Sequence, residues 1–500
     1  MLIMSQRITF QWSFPSNKML KNESNERKKL LAYRYSTPRT LLFYFAVLTL
    51  LITSVISGVG FVLNSLPIIL TGSVVLILWF VMIFAGILPQ TNITLNRRIK
   101  LLKQGALIIF ISIFILGLMV AMGTVIFVPR LIQNQNISTD FRQLMSEWKD
   151  GYEYTDATAL SQQAVENLFK GQNPYTHANV VQALLKYNGT YDRVTPLREG
   201  MLSDVFPYPQ NSQLEQIWDK AIQTPSQVPP ELESKVCYPA GSFLLPAPFV
   251  FLGITDIRIV YFIFVLAGLV YALWIIPKRK RLLFIGIVLI SLELWNSIGG
   301  GRDISSLCFP FLIVAWLSLN RNLWLSAICM GLAAATKQTA WFFIPFYLIL
   351  VFRKQGVKKS LVVSSIIAVI FIITNLPFAI ADPKIWISSI TSPMTDQMFP
   401  MGNGLVTLVT SGIWHMQSPL PFTILEGTAF IIAMLWYFRY CNRYPQTGLV
   451  LAIIPLFFAW RSQFSYFFYV DIISLAYIML NDDASWETIP PGVNPSDNVP

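Results

Sequence analysis

One carboxylate and three cations are the side chains whose placement could do chemistry. Asp156 opens a run in which Ala157, Leu160, Ala164, Val165, Leu168 and Phe169 recur at helical spacing, closed by Gly171. This pattern predicts a short amphipathic helix with Gln162, Gln163 and Glu166 on its polar face, suited to lie at a bilayer surface. Asp156 then sits at the start of the helix, near lipid headgroups. Capping the helix would also account for Asp156, because Asp is favoured at that position. The cations are Arg302, Lys337 and Arg461, each at a turn between apolar stretches. Three such groups on one side could together hold a phosphate. The alternative is that each pairs with a carboxylate such as Glu293, Asp303, Glu426 or Asp471, or snorkels to the interface.

The elements that must position these groups follow from composition. Of 500 residues 54% are apolar and only 13% charged, and mean hydropathy is +0.54. A soluble domain averages roughly 25% charged residues, so the class is a polytopic all-α membrane protein. The formal charge of +11 sits in short Lys/Arg clusters beside apolar runs. That placement sets orientation by the positive-inside rule and argues against nucleic acid as a partner. Cys237, Cys308, Cys329 and Cys441 show no disulfide framework or zinc spacing, and two histidines are too few for a histidine metal cage. No cofactor and no metal ligand set is expected, and a divalent-ion requirement is left open. The basic segment 1–40 lacks an apolar core and is not expected to be a cleavable signal peptide.

Apolar stretches at 41–63, 66–88 and 105–128 are each long enough to span. The basic clusters before 41 and between 88 and 105 mark the cytoplasmic side. Segment 129–240 then falls outside, carrying thirteen acidic and nine basic residues. Re-entry at 256–276 ends on Lys278, Arg279, Lys280 and Arg281. Spans follow at 282–298 and 304–319. A single helix over 322–352 would be about 46 Å long, too long for the bilayer, so this stretch reads as two short spans meeting at Lys337-Gln338-Thr339. Further spans are expected at 361–381, 422–438, 447–460 and 464–480, with a half-inserted segment at 404–414. The total is about twelve, with both termini inside, one large extracytoplasmic loop and a disordered cytoplasmic tail at 481–500.

Asp156, then Gly171-x-Asn173-Pro174-Tyr175, then Tyr238-Pro239 where the chain re-enters the membrane, resembles the GT-C superfamily of integral-membrane glycosyltransferases. The similarity is greatest to bacterial families akin to protein O-mannosyltransferases and polyprenol-phosphate-dependent mannosyltransferases. Gly300-Gly301-Arg302-Asp303 and the run from Gly331 to Lys337 look like that group's glycine-polar turn and helix end. The resemblance covers roughly 105–480 in ordered fragments, with 41–88 as two additional helices.

It implies an enzyme that moves a sugar from a polyprenyl-phosphate donor to an acceptor hydroxyl on a glycan, lipid or protein, on the outer face of the plasma membrane. Asp156 or Glu153 would be the base, and Arg302, Lys337 and Arg461 would hold the donor phosphate. Asn173, Tyr175, Tyr238, Asp303 and Gln338 would contact substrate, and direct displacement would invert the anomeric centre. The competing classes are a transporter or lipid-linked sugar flippase, and a polysaccharide polymerase or ligase. Transporters commonly show repeated halves with interrupted helices at the midplane, whereas here the charges gather at one face beside one large loop.

Overall fold

The computed structural model describes residues 38–62, 66–88, 91, 154–187, 189–299, 301 and 304–481. The predicted span 105–128, the acidic residues Asp140, Asp150, Glu153 and Asp303, Arg302, and the tail beyond 481 lie outside them.

Helices α1 (Pro38–Val62) and α2 (Leu66–Ile87) form a hairpin of two almost uniformly apolar rods. It is pinned at its open end by Arg39, which donates from Nε to the Gly86 carbonyl (2.8 Å) and from Nη2 to that of Ile87 (2.7 Å). The next described region, 154–240, is built from short elements: α3 (Asp156–Phe169), α4 (Val180–Leu185) and α5 (Asn211–Gln223). The membrane part continues with α6 (Ile257–Ile275), α7 (Arg281–Ile290), α8 (Leu292–Gly299), α9 (Ser305–Ser318), α10 (Leu323–Thr336), α11 (Thr339–Gln355) and α12 (Val357–Ala381). Then come α13 (Pro383–Thr395), the two-residue strand β1 (Met401–Gly402), α14 (Leu420–Tyr440), the two-residue strand β2 (Arg461–Ser462) and α15 (Phe468–Asn481). The two strands pair in parallel, Met401 opposite Arg461.

Among the described residues six helices are long and apolar enough to cross a membrane, or seven if the bent pair α7–α8 counts as one span. Their exposed faces are those of lipid-contacting helices. On α6, Ile259, Phe262, Leu266 and Val270 point outward along one stripe, and on α12 so do Val362, Val369, Ile373 and Ile380.

Six or seven is fewer than the twelve expected, for reasons visible in the chain. The stretch 105–128 is outside the described residues. The stretch expected as one span at 282–298 bends by 55° at Ser291 into α7 and α8. The apolar run 447–460 is divided into Gly448–Leu451 and Ile454–Phe457, with Pro455 unable to continue the first turn's ladder. The half-inserted segment expected at 404–414 holds only the four-residue helix Thr407–Thr410. The break at Lys337 is where helix length requires it: α10 ends at Thr336, Lys337 is extended (φ −150°, ψ 140°), and α11 starts at Thr339.

The interior is aromatic and hydrogen-bonded. The Trp316 ring meets Tyr347 and Tyr477 edge-on, at 6.0 and 6.2 Å between centroids. Ser326 donates to the Ala315 carbonyl (2.6 Å) and lies 2.6 Å from the Tyr347 hydroxyl. Where no water competes, such bonds satisfy polar groups that would otherwise cost several kcal/mol each.

Candidate active site

The start of α3 is fixed from three directions. Tyr154 stacks on Tyr187 with centroids 4.0 Å apart, and its hydroxyl donates to Asp256 Oδ1 at 2.5 Å. Asp256 caps α6 and holds Arg258 in an ion pair (2.7 Å), and the Arg258 guanidinium lies 4.6 Å from the Tyr154 ring centroid. Thr155 and Thr158 both donate to the Gly301 carbonyl, Thr155 at 2.6 Å. The first turn of α3 is thereby tied to the first turn of α6 and to the 299–301 turn, where Arg258 also donates to the Gly299 carbonyl (2.9 Å).

Asp156 is not the cap of this helix. Thr155 occupies that position by its extended backbone, and Asp156 is the first helical residue. Its Oδ1 accepts from the N–H of Ala157 (2.7 Å) and its Oδ2 from the N–H of Thr195 (2.8 Å). Burial pushes the Asp156 carboxyl above the usual carboxylate range, while the Thr195 and Ala157 bonds and the charge of Arg461 pull it back. Tyr208 feels both groups: burial pushes its hydroxyl up to about 12, with Arg461 lowering and Asp156 raising it. Asp156, Arg461 and Tyr208 therefore share one neighbourhood. The apolar stripe of α3, expected at the bilayer surface, is instead packed inside the protein, with Leu160, Ala164 and Val165 buried; Gln162 is buried too, and Gln163 accepts from the Asn179 N–H (2.8 Å).

Beneath Asp156 lie short extended segments side by side. Pro196 bridges to Leu232, and Leu197 to Met398. Arg198 donates through its N–H to the Gln397 carbonyl (2.8 Å), and β1 pairs with β2. Gly402 sits at φ +119°, and a Cβ there would meet the Ser462 carbonyl oxygen at 2.0 Å, so only glycine lets the two strands approach this closely. This layer presents Arg461. Its Nη2 reaches only the sulfur of Met401 (3.7 Å), and its Nη1, buried, has no hydrogen-bond partner among the described residues.

Lys337 is buried at the α10–α11 break. Its Nζ donates to Ser305 Oγ (2.6 Å), whose hydroxyl donates to the Ser465 carbonyl (2.9 Å). The ammonium lies 5.3 Å from the Tyr466 ring centroid and 5.8 Å from that of Tyr238. Lys337 and Arg461 are thus carried to the two ends of one loop, 461–466. Cys237 sits among the same charges, its thiol raised by burial and by Glu233 and Asp156 and lowered by Lys337. Gln338 ties the loop end to α13 by donating to the Cys237 and Ile390 carbonyls, the latter at 3.0 Å. Gly241 lets the chain pack on the end of α10, since a Cβ there would stand 2.5 Å from the Ala335 carbonyl oxygen.

Other residues singled out in the sequence occupy supporting places. Asn173 accepts from the Tyr175 N–H (3.1 Å) and shapes the turn after α3. Tyr175 is 4% exposed, its hydroxyl donating to the Tyr238 carbonyl (2.9 Å) and its ring against Phe243 and Phe378. Glu153, Arg302 and Asp303 lie outside the described residues, though Gly301, next in sequence to Arg302, accepts from Thr155. Sequence alone did not single out Thr195, which donates to Asp156, Tyr208, which feels Asp156 and Arg461, Glu233, which donates to the Thr195 carbonyl, or the ion pair Lys235–Asp396. None lies in a motif.

A groove of about 510 Å³ runs beside α3. Gln163, Glu166 and Lys170 line it from α3, with Gln172, Gln182 and Lys186 opposite. Asp156, Ala159, Gln163 and Lys170 follow one another at i, i+3, i+7 and i+14, so Asp156 stands at the head of the stripe that floors the groove.

No curated protein and no solved structure matches the chain. The model of glycosyltransferase family 87 matches residues 237–461, a stretch that begins at Cys237, ends at Arg461 and contains Lys337 and Gln338. With its apolar spans, this match identifies the protein as an enzyme of the membrane glycosyltransferase kind.

Proposed function

We propose that the protein transfers a sugar, mannose being the resemblance's first choice, from a polyprenyl phosphate to an acceptor hydroxyl at the outer face of the plasma membrane. The observation that carries this reading is Arg461: a half-buried arginine whose Nη1, itself buried, has no hydrogen-bond partner among the described residues, close enough to Asp156 to shift its carboxyl. A cation held ready with donors unspent suits an anion that arrives and leaves, which a lipid phosphate does.

In this reading Asp156 accepts the proton of the acceptor hydroxyl as that oxygen attacks the anomeric carbon. The bond from that carbon to the phosphate oxygen breaks, and its electron pair leaves with polyprenyl phosphate. Attack opposite the leaving group inverts the centre. Arg461 and Lys337, with Arg302, steady the charge that develops on the phosphate, and Tyr238 and Gln338 border the donor. Asp303 completes that border, and Glu153 is the reserve base. The acceptor lies along the α3 groove, where carboxamides can both give and take hydrogen bonds with sugar hydroxyls. The outer location is supported by the basic run Lys278–Arg281 at the far end of α6 from Asp256, since such runs favour the cytoplasmic side.

Purified protein in lipid would be given a panel of polyprenyl-phosphate sugars with mixed glycan acceptors, and released polyprenyl phosphate measured. Release with at least one sugar, dependent on acceptor, is expected. Turnover of nucleotide sugars alone would overturn the donor assignment.

A further inference from the structure

We propose that Glu233 is a positioning residue for the transfer: with Asp396 and Lys235 it clasps the segment that donates to Asp156 onto the segment that presents Arg461. The inference rests on the reading of Asp156 and Arg461 given above. The N–H of Glu233 donates to the Thr195 carbonyl (2.9 Å), and the N–H of the same Thr195 donates to Asp156. Glu233 is thus one residue removed from the base. On the other side, Asp396 ends α13, and five residues later the chain enters β1, paired with Arg461. Lys235 Nζ lies 2.5 Å from Asp396 Oδ2, closing the clasp.

The clasp has a definite proton count. Glu233 is buried, with Oε1 accepting from the Lys235 N–H (2.8 Å) and Oε2 lacking a donor among the described residues. The groups that face it are Lys235 and Cys237 on its own segment, Asp396 from the end of α13, and the Thr195 backbone from the neighbouring segment. Glu233 is buried, Asp396 is half-buried beside it, and one ammonium serves both, so the buried carboxyl favours its protonated form. With Glu233 protonated, its hydroxyl can donate to Asp396, and the three side chains sum to zero charge. Burial, followed by the Asp396 contact, pushes Glu233 up to about 8. Above that pH a second buried negative charge appears, the two segments repel, and Asp156 and Arg461 lose their alignment.

The sign distinguishes Glu233 from Asp156. A general base gains activity as pH rises and then holds a plateau, so a fall above about 8 belongs to the clasp. In stability the folded-state value lies above the unfolded one. The contribution is therefore whole below the ordinary glutamate range and is lost as pH rises to about 8.

Transfer and melting would be followed across pH for the full-length protein in lipid and for Glu233→Gln, whose amide can donate to Asp396 but cannot ionise. Wild type should lose at least severalfold in transfer between pH 7 and 9, and Glu233→Gln should stay within twofold. The wild-type melting midpoint should fall relative to the variant as pH rises from 5 to 8.5. If Glu233→Gln does not fold, Asp396→Asn removes the paired carboxylate and should also abolish the alkaline limb. Parallel pH profiles for wild type and variant, in melting and transfer alike, overturn the clasp. Wild type without transfer for any polyprenyl-phosphate donor would instead overturn the enzymatic reading, while the melting difference still decides the clasp.

Discussion

Two arginines, Arg39 fully buried and Arg461 half-buried, behave differently. Arg39, 1% exposed, spends its guanidinium on the last carbonyls of α2, where a helix end already favours positive charge. Arg461 has a sulfur for one nitrogen and, among the described residues, no partner for another. The first arrangement is complete without any ligand and reads as a fastener for the α1–α2 hairpin. The second leaves a desolvation cost outstanding that an incoming phosphate would offset. Burial is therefore a poor guide to function in a membrane protein, and satisfaction of donors is a better one.

The comparison can be broken at several points. The largest effect is expected at Asp156, whose carboxyl feels the charge of Arg461. Asp156→Asn keeps an oxygen for only one of the Thr195 and Ala157 N–H groups and cannot take a proton, so transfer should fall roughly a hundredfold or more. Because burial raises the carboxyl, the wild-type fold weakens as pH rises from the ordinary carboxylate range, and the melting midpoint of the amide, which cannot ionise, should fall less over that rise. A variant with near-normal turnover would return Asp156 to a structural role.

The next test sets the two arginines directly against each other. Arg461→Gln should reduce transfer about tenfold to a hundredfold with little change in melting. Arg39→Gln should leave turnover per folded molecule unchanged but cost on the order of 1.5–3 kcal/mol of stability for lost charge-assisted bonds. Thermal unfolding and initial rates on the same preparations separate the two, and a reversed pattern removes the distinction between fastener and site. The smallest effect belongs to the groove. Gln182→Ala should raise the acceptor KM by about two- to fivefold and leave kcat and the donor KM alone, since one neutral hydrogen bond is worth about 1 kcal/mol. A change confined to the donor KM would move the acceptor elsewhere.

Much of this was legible from periodicity and charge. The helix at Asp156–Phe169 follows from its apolar spacing, and the interruption at Lys337 follows from the limit that bilayer thickness sets on 322–352. What escaped depends on contacts distant in sequence. Glu233 and Asp396 are unremarkable alone, and only the fold brings them together beside Thr195. The bend at Ser291 and the divided run 447–460 escaped for another reason: hydropathy registers apolar length but not whether a helix stays continuous through it. The cap expected at Asp156 fell one residue early, on Thr155, because both residue types suit that position.

The contact between Trp79 and Asp471 has a consequence for how the chain is made. Trp79 Nε1 on α2 donates to Asp471 Oδ2 at 3.1 Å, joining the second described helix to the last across 392 residues. A ribosome delivers α2 to the bilayer long before α15 is synthesised, so the early hairpin must wait in lipid as half of a polar pair. When α15 arrives, its acid meets a donor already in place rather than hydrocarbon. The hairpin therefore acts as a template for the final insertion step. A chain begun after α2 should stall with its last helix unassembled, and co-expressing the hairpin as a separate polypeptide should restore it.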